Sequence, residues 1–186
     1  MIDLVKLNGV KEAFGFFARQ LAYPDKLSLS QMTMDGAIAP SIASFIDTYR
    51  DKMQQLSMDE IEELYVDTFD FQKSSTLYMT YFKYEDNKER GNMLSTLKAI
   101  YDMYGLEIAD NELPDYLPLM CEFIYAANLQ DDEWSNASIN TLLSILEDGT
   151  YHLMKALEKC DSPYFYLVKA LRETFKLCLR KEAMTS

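Results

Sequence analysis

Apolar residues advance along this chain in steps of three and four almost from end to end. Leu7, Val10, Phe14, Phe17 and Leu21 form one such series, and Met93, Leu97, Ile100, Tyr101 and Tyr104 form another. That spacing lines one face of a helix, whereas the strict alternation of a strand is almost absent. Helix boundaries can be placed from local chemistry. Ser57-Met58-Asp59-Glu60 reads as a capping box opening a helix through Leu64 and Val66 toward Phe69. Pro40 begins a helix carrying Phe45, Ile46, Tyr49, Met53 and Leu56. Gly105 follows Tyr104 as a left-handed stop, and Ser162-Pro163 provides a cap and a first-turn proline ahead of Tyr164, Leu167, Val168, Leu171, Phe175 and Cys178. A long helix is expected from Asn136 to Lys159, weakened midway by Gly149. With six glycines, five prolines, no repeat and no long linker in 186 residues, the pattern predicts an all-α, single-domain helical bundle of about eight or nine helices over residues 1–186. Two segments look looser, Pro24 to Ala39 and Phe71 to Gly91, and loops on a rigid scaffold are where binding residues tend to sit.

One helix entrance stands apart. Glu112-Leu113-Pro114-Asp115-Tyr116-Leu117-Pro118 sets two prolines and an acidic pair ahead of the apolar run Leu119-Met120-Cys121-Glu122-Phe123. Asp115 is expected to act as N-cap. That places Pro118 at the third helical position, where its missing N–H breaks no intrahelical bond.

Composition narrows the partners. Lys and Arg total 18 against 30 Asp and Glu, a net charge of −12. Such a field repels nucleic-acid phosphates and anionic membrane surfaces, and attracts basic peptides. Lys6, Lys11, Glu12 and Arg19 interrupt the N-terminal apolar residues, so neither a secretory core nor a membrane span can be drawn there. A cytoplasmic protein with reduced thiols is expected, since Cys121, Cys160 and Cys178 are scattered and form no C-x-x-C pair.

Chemistry is sparse. The single histidine, His152, lies inside a predicted helix without the companions that a nucleophilic triad or a zinc site needs. Cys121 has apolar neighbours and reads as core. No phosphate-binding glycine loop occurs, and Asp131-Asp132-Glu133 lacks the alternating ligands of a calcium loop. No catalytic residue, metal or cofactor is expected. What remains is a set of carboxylates at helix ends (Asp67, Asp70, Glu112 and Asp115) together with 11 methionines and 13 tyrosines. Methionine and tyrosine suit an adaptable peptide-binding groove. Such a groove, rimmed by carboxylates, would take an amphipathic basic helix.

Three motifs occur in sequence: Tyr65-Val66-Asp67-Thr68-Phe69-Asp70, Asp86-Asn87-Lys88-Glu89-Arg90-Gly91 and Glu112 to Pro118, with a weaker echo at Leu21-Ala22-Tyr23-Pro24. In combination they resemble the delta-type assembly chaperones of respiratory nitrate reductase, a group of molybdoenzyme maturation chaperones. Glu85 stands where that pattern has a glycine, Lys88 replaces its first arginine, and Tyr116 stands where histidine is often found. The resemblance implies a chaperone, not an enzyme. Its client would be the N-terminal segment of the apo catalytic subunit of a nitrate reductase, kept receptive to molybdenum cofactor and away from the membrane until assembly. Molybdenum cofactor delivery proteins would be candidate further partners. Carried over to this chain, the client-binding residues are Tyr65, Asp67, Phe69, Asp70, Glu112, Pro114, Asp115, Tyr116 and Pro118. Asp86 and Arg90 belong to the middle motif, and Arg90 is expected to fasten a loop by pairing with a motif carboxylate.

Two other readings stay open. A maturation chaperone for a sulfoxide, N-oxide or formate-oxidising molybdoenzyme would share the fold and groove. A small helical enzyme working with carboxylates alone would instead need a deep closed pocket.

Overall fold

Ten α-helices account for most of the residues described, which are 2–34, 39–129 and 133–179 of this computed structural model. They are α1 (Leu4–Gly9), α2 (Lys11–Leu21), α3 (Lys26–Ser30), α4 (Pro40–Met53), α5 (Met58–Tyr65), α6 (Tyr81–Tyr84), α7 (Lys88–Met103), α8 (Leu117–Ala126), α9 (Glu133–Lys159) and α10 (Tyr164–Leu177). The described residues form no strand beyond two isolated bridges. The all-α expectation holds. The count exceeds eight or nine because short helices such as α3 and α6 lie inside the two segments read as loose.

Local signals set several boundaries. At α5 the capping box is complete, with Glu60 N–H donating to Ser57 Oγ and Ser57 N–H donating to Glu60 Oε2 at 2.7 Å. At the end of α7, Gly105 adopts φ 70°, which lets Leu106 N–H reach Tyr101 O and Gly105 N–H reach Asp102 O. Pro40 opens α4, and Pro163 leads into α10 in helical dihedrals while Ser162 Oγ accepts from Tyr164 N–H.

Two expectations need correction. Helix α9 is continuous through Gly149. The glycine is there for packing: a Cβ at that position would come within 2.9 Å of the Met79 Cα, so only glycine lets the 77–80 segment lie against the helix. At α8 the N-cap is Tyr116, with no side-chain capping bond, and Pro118 is the second helical residue. Asp131 and Asp132 of the acidic run lie outside the described residues.

The core gathers around α2, whose Phe14, Phe16, Phe17 and Leu21 are all within 1% of complete burial. Each such side chain contributes roughly 1.5–3 kcal/mol on transfer from water. Helix α8 packs along α2, and α10 packs on α4 and α9. An edge-to-face aromatic series ties these layers together: Phe14 on Phe175 at 5.0 Å, Tyr65 on Phe69 at 4.9 Å and Phe69 on Tyr164 at 4.8 Å.

Candidate functional site

Between α5 and the next loop the backbone widens into a π-helical turn, Val66–Asp70. The wider turn buries Thr68 and Phe69 while leaving Asp67 and Asp70 exposed. π turns of this kind recur at functional sites. The turn is braced by Ser75, whose hydroxyl donates to Thr68 O.

The second strip is the approach to α8. It lies antiparallel to residues 77–80: Met79 N–H donates to Asp115 O at 2.9 Å, Leu117 N–H donates to Leu77 O at 2.8 Å, and Tyr78 faces Tyr116. Asp115 is fully buried at this crossing. Its Oδ2 accepts from Thr80 N–H at 3.1 Å, from Thr80 Oγ1 at 2.5 Å and from Arg90 Nη2 at 3.4 Å. Arg90 in turn donates from Nε to Thr80 Oγ1 and from Nη1 to Asp86 Oδ1 at 3.0 Å, with its guanidinium over the Tyr81 ring. The middle motif thus clamps the 77–80 segment and the α8 approach together.

Outside the clamp a groove of about 520 Å³ runs between α2 and α8. One wall is Gly15, Ala18, Arg19 and Ala22; the other is Tyr116, Pro118, Leu119, Glu122 and Tyr125, with Ala109 and Glu112 at one end. The helices can approach because Gly15 has no side chain, since a Cβ there would stand 3.0 Å from the Tyr125 ring. Behind Tyr116 lies a cluster of further tyrosines. The Tyr65 hydroxyl donates to Leu21 O and shares a 3.1 Å hydrogen bond with the Tyr116 hydroxyl. Tyr23 stacks edge-on against Tyr65, and Tyr78 stacks against Tyr116. Burial pushes the Tyr65 and Tyr116 phenols above their usual range, and the nearby Asp70 charge pushes the same way. Tyr78, half-buried and donating to Glu112 Oε1, is pushed up to about 12, first by burial and then by the Glu112 carboxylate. The groove itself thus presents the phenols of Tyr116 and Tyr125 with the carboxylates of Glu112 and Glu122.

The motif residues separate into two populations. Glu112, Tyr116 and the largely buried Pro118 line the groove; Asp67 and Asp70 are exposed, and the Asp70 charge lies close enough to bear on the Tyr116 phenol. Tyr65, Phe69, Pro114 and Asp115 are buried, which corrects their assignment as direct client contacts. Phe69 packs between Tyr65 and Tyr164, and Pro114 O accepts from the Tyr101 hydroxyl at 2.6 Å. These residues hold the site instead of presenting it. The α2 wall was not singled out from the sequence, although Gly15, Ala18 and Ala22 form a small-residue series at helical spacing. His152 is exposed and stacked on Phe82, 3.9 Å from Asp148. Cys121 is buried, and that burial pushes its thiol up. Among the described residues no helix is long and apolar enough to cross a membrane.

Residues 33–169 match the family model described as nitrate reductase delta subunit, a span that takes in all three motifs. The chain belongs to the nitrate reductase delta subunit family. Among its relatives, the probable nitrate reductase molybdenum cofactor assembly chaperone NarJ of Bacillus subtilis (strain 168) is 36% identical over 148 residues, covering 80% of this chain and 74% of the relative. The probable nitrate reductase molybdenum cofactor assembly chaperone NarW of Escherichia coli (strain K12) is 23% identical over 89% of this chain and 68% of its own length. NarJ of the same strain is 28% identical over 58% of this chain and 48% of its own length. Of the motif residues within that family span, Glu112, Tyr116 and Pro118 lie on the groove.

Proposed function

We propose that this protein is an assembly chaperone for a respiratory nitrate reductase, acting in the cytoplasm. It holds the N-terminal segment of the apo catalytic subunit in the α2–α8 groove while molybdenum cofactor is inserted, and leaves before the mature complex reaches the membrane. The observation that carries this reading is the groove itself: apolar walls, the phenols of Tyr116 and Tyr125 and the carboxylates Glu112 and Glu122, with the motif residues Glu112, Tyr116 and Pro118 on it. Apolar anchors buried against Tyr116, Pro118 and Leu119 supply affinity, and the carboxylates orient a basic residue of the client. The relatives' description as molybdenum cofactor assembly chaperones for nitrate reductase supports this client over a sulfoxide, N-oxide or formate enzyme. An open groove with carboxylates at its edge also fits binding better than carboxylate catalysis, which works in a closed pocket.

Titration calorimetry with a synthetic N-terminal peptide of the cognate nitrate reductase catalytic subunit tests the proposal. The wild-type chain binds it, and Tyr116→Ala weakens binding by roughly tenfold, the loss of one anchor. Glu112→Gln weakens it less, because an exposed charge pair is worth only ~0–1 kcal/mol. Absence of any binding heat at high micromolar peptide overturns the proposal.

A further inference from the structure

The groove that this reading fills with a client segment contains one charge of the wrong sign for a purely basic peptide. Arg19, in the last turn of α2, is exposed and lines the α2 wall, with Glu122 on the α8 wall and Glu112 at one end of the groove. Each of the other three arginines in the described residues is engaged. Arg50 pairs with Asp47 at 2.8 Å, Arg90 pairs with Asp86 and Asp115, and Arg172 donates to Glu147 O and to Thr150 Oγ1. Arg19 alone has no ion pair, side-chain hydrogen bond or ring contact among the described residues. A cation near a helix C-terminus complements the helix dipole, but any position around that last turn would do so equally well. This one faces the groove. The groove's acids are also under-used: Glu112 engages only Oε1, through Tyr78 and Leu113 N–H, and Glu122 forms no ion pair among the described residues.

We propose that Arg19 is a specificity residue that reads an acidic side chain of the bound segment. The occupant is then an amphipathic peptide of mixed charge. Its apolar residues seat against Tyr116, Leu119 and Tyr125, a basic residue meets Glu112 or Glu122, and an acidic residue meets the Arg19 fork, which matches carboxylate geometry with two parallel N–H donors. Opposite charges on opposite walls admit one direction of the peptide and set like charges together in the other, so Arg19 selects direction more than it adds affinity. The inference rests on the peptide-binding reading above and adds to it the charge pattern of the client.

A charge-swap scan tests it. Each acidic residue of the synthetic catalytic-subunit peptide is reversed to lysine in turn and titrated against the wild-type chain and against Arg19→Glu. Arg19→Glu weakens the natural peptide by roughly five- to tenfold, one reversed peptide loses as much against the wild type, and that peptide with Arg19→Glu recovers most of the loss. If Arg19→Glu does not fold, Arg19→Gln with acid-to-amide peptides runs the same cycle. Strict additivity at every acidic position, or equal binding of a peptide stripped of all its acids, overturns the role of Arg19 and leaves the groove reading intact. No binding of the natural peptide to the wild-type chain removes both.

Discussion

A carboxylate sealed from water must find its hydrogen bonds inside the protein, and Asp115 finds three on one oxygen while Oδ1 has no protein partner. Its weight falls on structure, because the same contacts that satisfy it fix residue 80, residue 90 and the start of α8. Asp115→Ala would leave the Thr80 N–H and hydroxyl without their buried acceptor and take one of the two carboxylates from the Arg90 guanidinium, which keeps Asp86 at 3.0 Å. Leaving buried donors unsatisfied in this way costs about 1–3 kcal/mol. Urea denaturation should show that loss in the midpoint, and peptide affinity measured on the fraction still folded should fall through the displaced Tyr116. Asp115→Asn keeps an acceptor for Thr80 and should lose less. From the sequence alone Asp115 reads as an N-cap, the common role for aspartate before an apolar helix. Nothing within five residues reveals the partners that win, since Thr80 and Arg90 lie 35 and 25 positions away.

At the scale of elements, the legible features were those decided within a turn or two. The Ser57 capping box, the Gly105 stop and the Pro40 opening all depend on neighbours three to five residues distant, and all are found. Gly149 was misread for the opposite reason. Propensity alone treats a mid-helix glycine as a weak point, whereas the contact that requires it comes from Met79, far away in the chain. Replacing Gly149 by alanine should therefore destabilise the protein despite alanine's better helix propensity. Overpacking against the Met79 backbone costs roughly 1–3 kcal/mol, readable as a lowered thermal midpoint with helical content unchanged. A surface glycine such as Gly9, where an added Cβ meets nothing within 4 Å, serves as the control and should gain stability on the same change.

For the molecule as a whole, the helical class was legible because burial of one face repeats every three to four residues, and the family was legible from the ordered motifs. The groove was not, since its walls α2 and α8 are separated by nearly a hundred residues of chain and only one of them contains a full motif. The abundance of tyrosine has a consequence of its own for pH. Burial pushes the phenols of Tyr65, Tyr101 and Tyr164 upward, and Tyr78 is pushed up to about 12. A folded pKa raised above the unfolded value near 10 means that the fold favours the neutral phenol. The stabilisation is complete below pH 10 and is lost as pH rises through 10 to 12 and beyond. Stability followed by urea midpoint should hold steady through neutral pH and fall above pH ~10, with phenolate absorbance appearing together with unfolding. A last consequence comes from the bare Gly15 against the Tyr125 ring. That contact sets the calibre of the cleft, so a methyl group there would work as a shim, prying the walls apart or swinging the tyrosine outward. One methyl group at that wall would therefore reshape the whole cleft, through the tyrosine it displaces as much as through its own bulk.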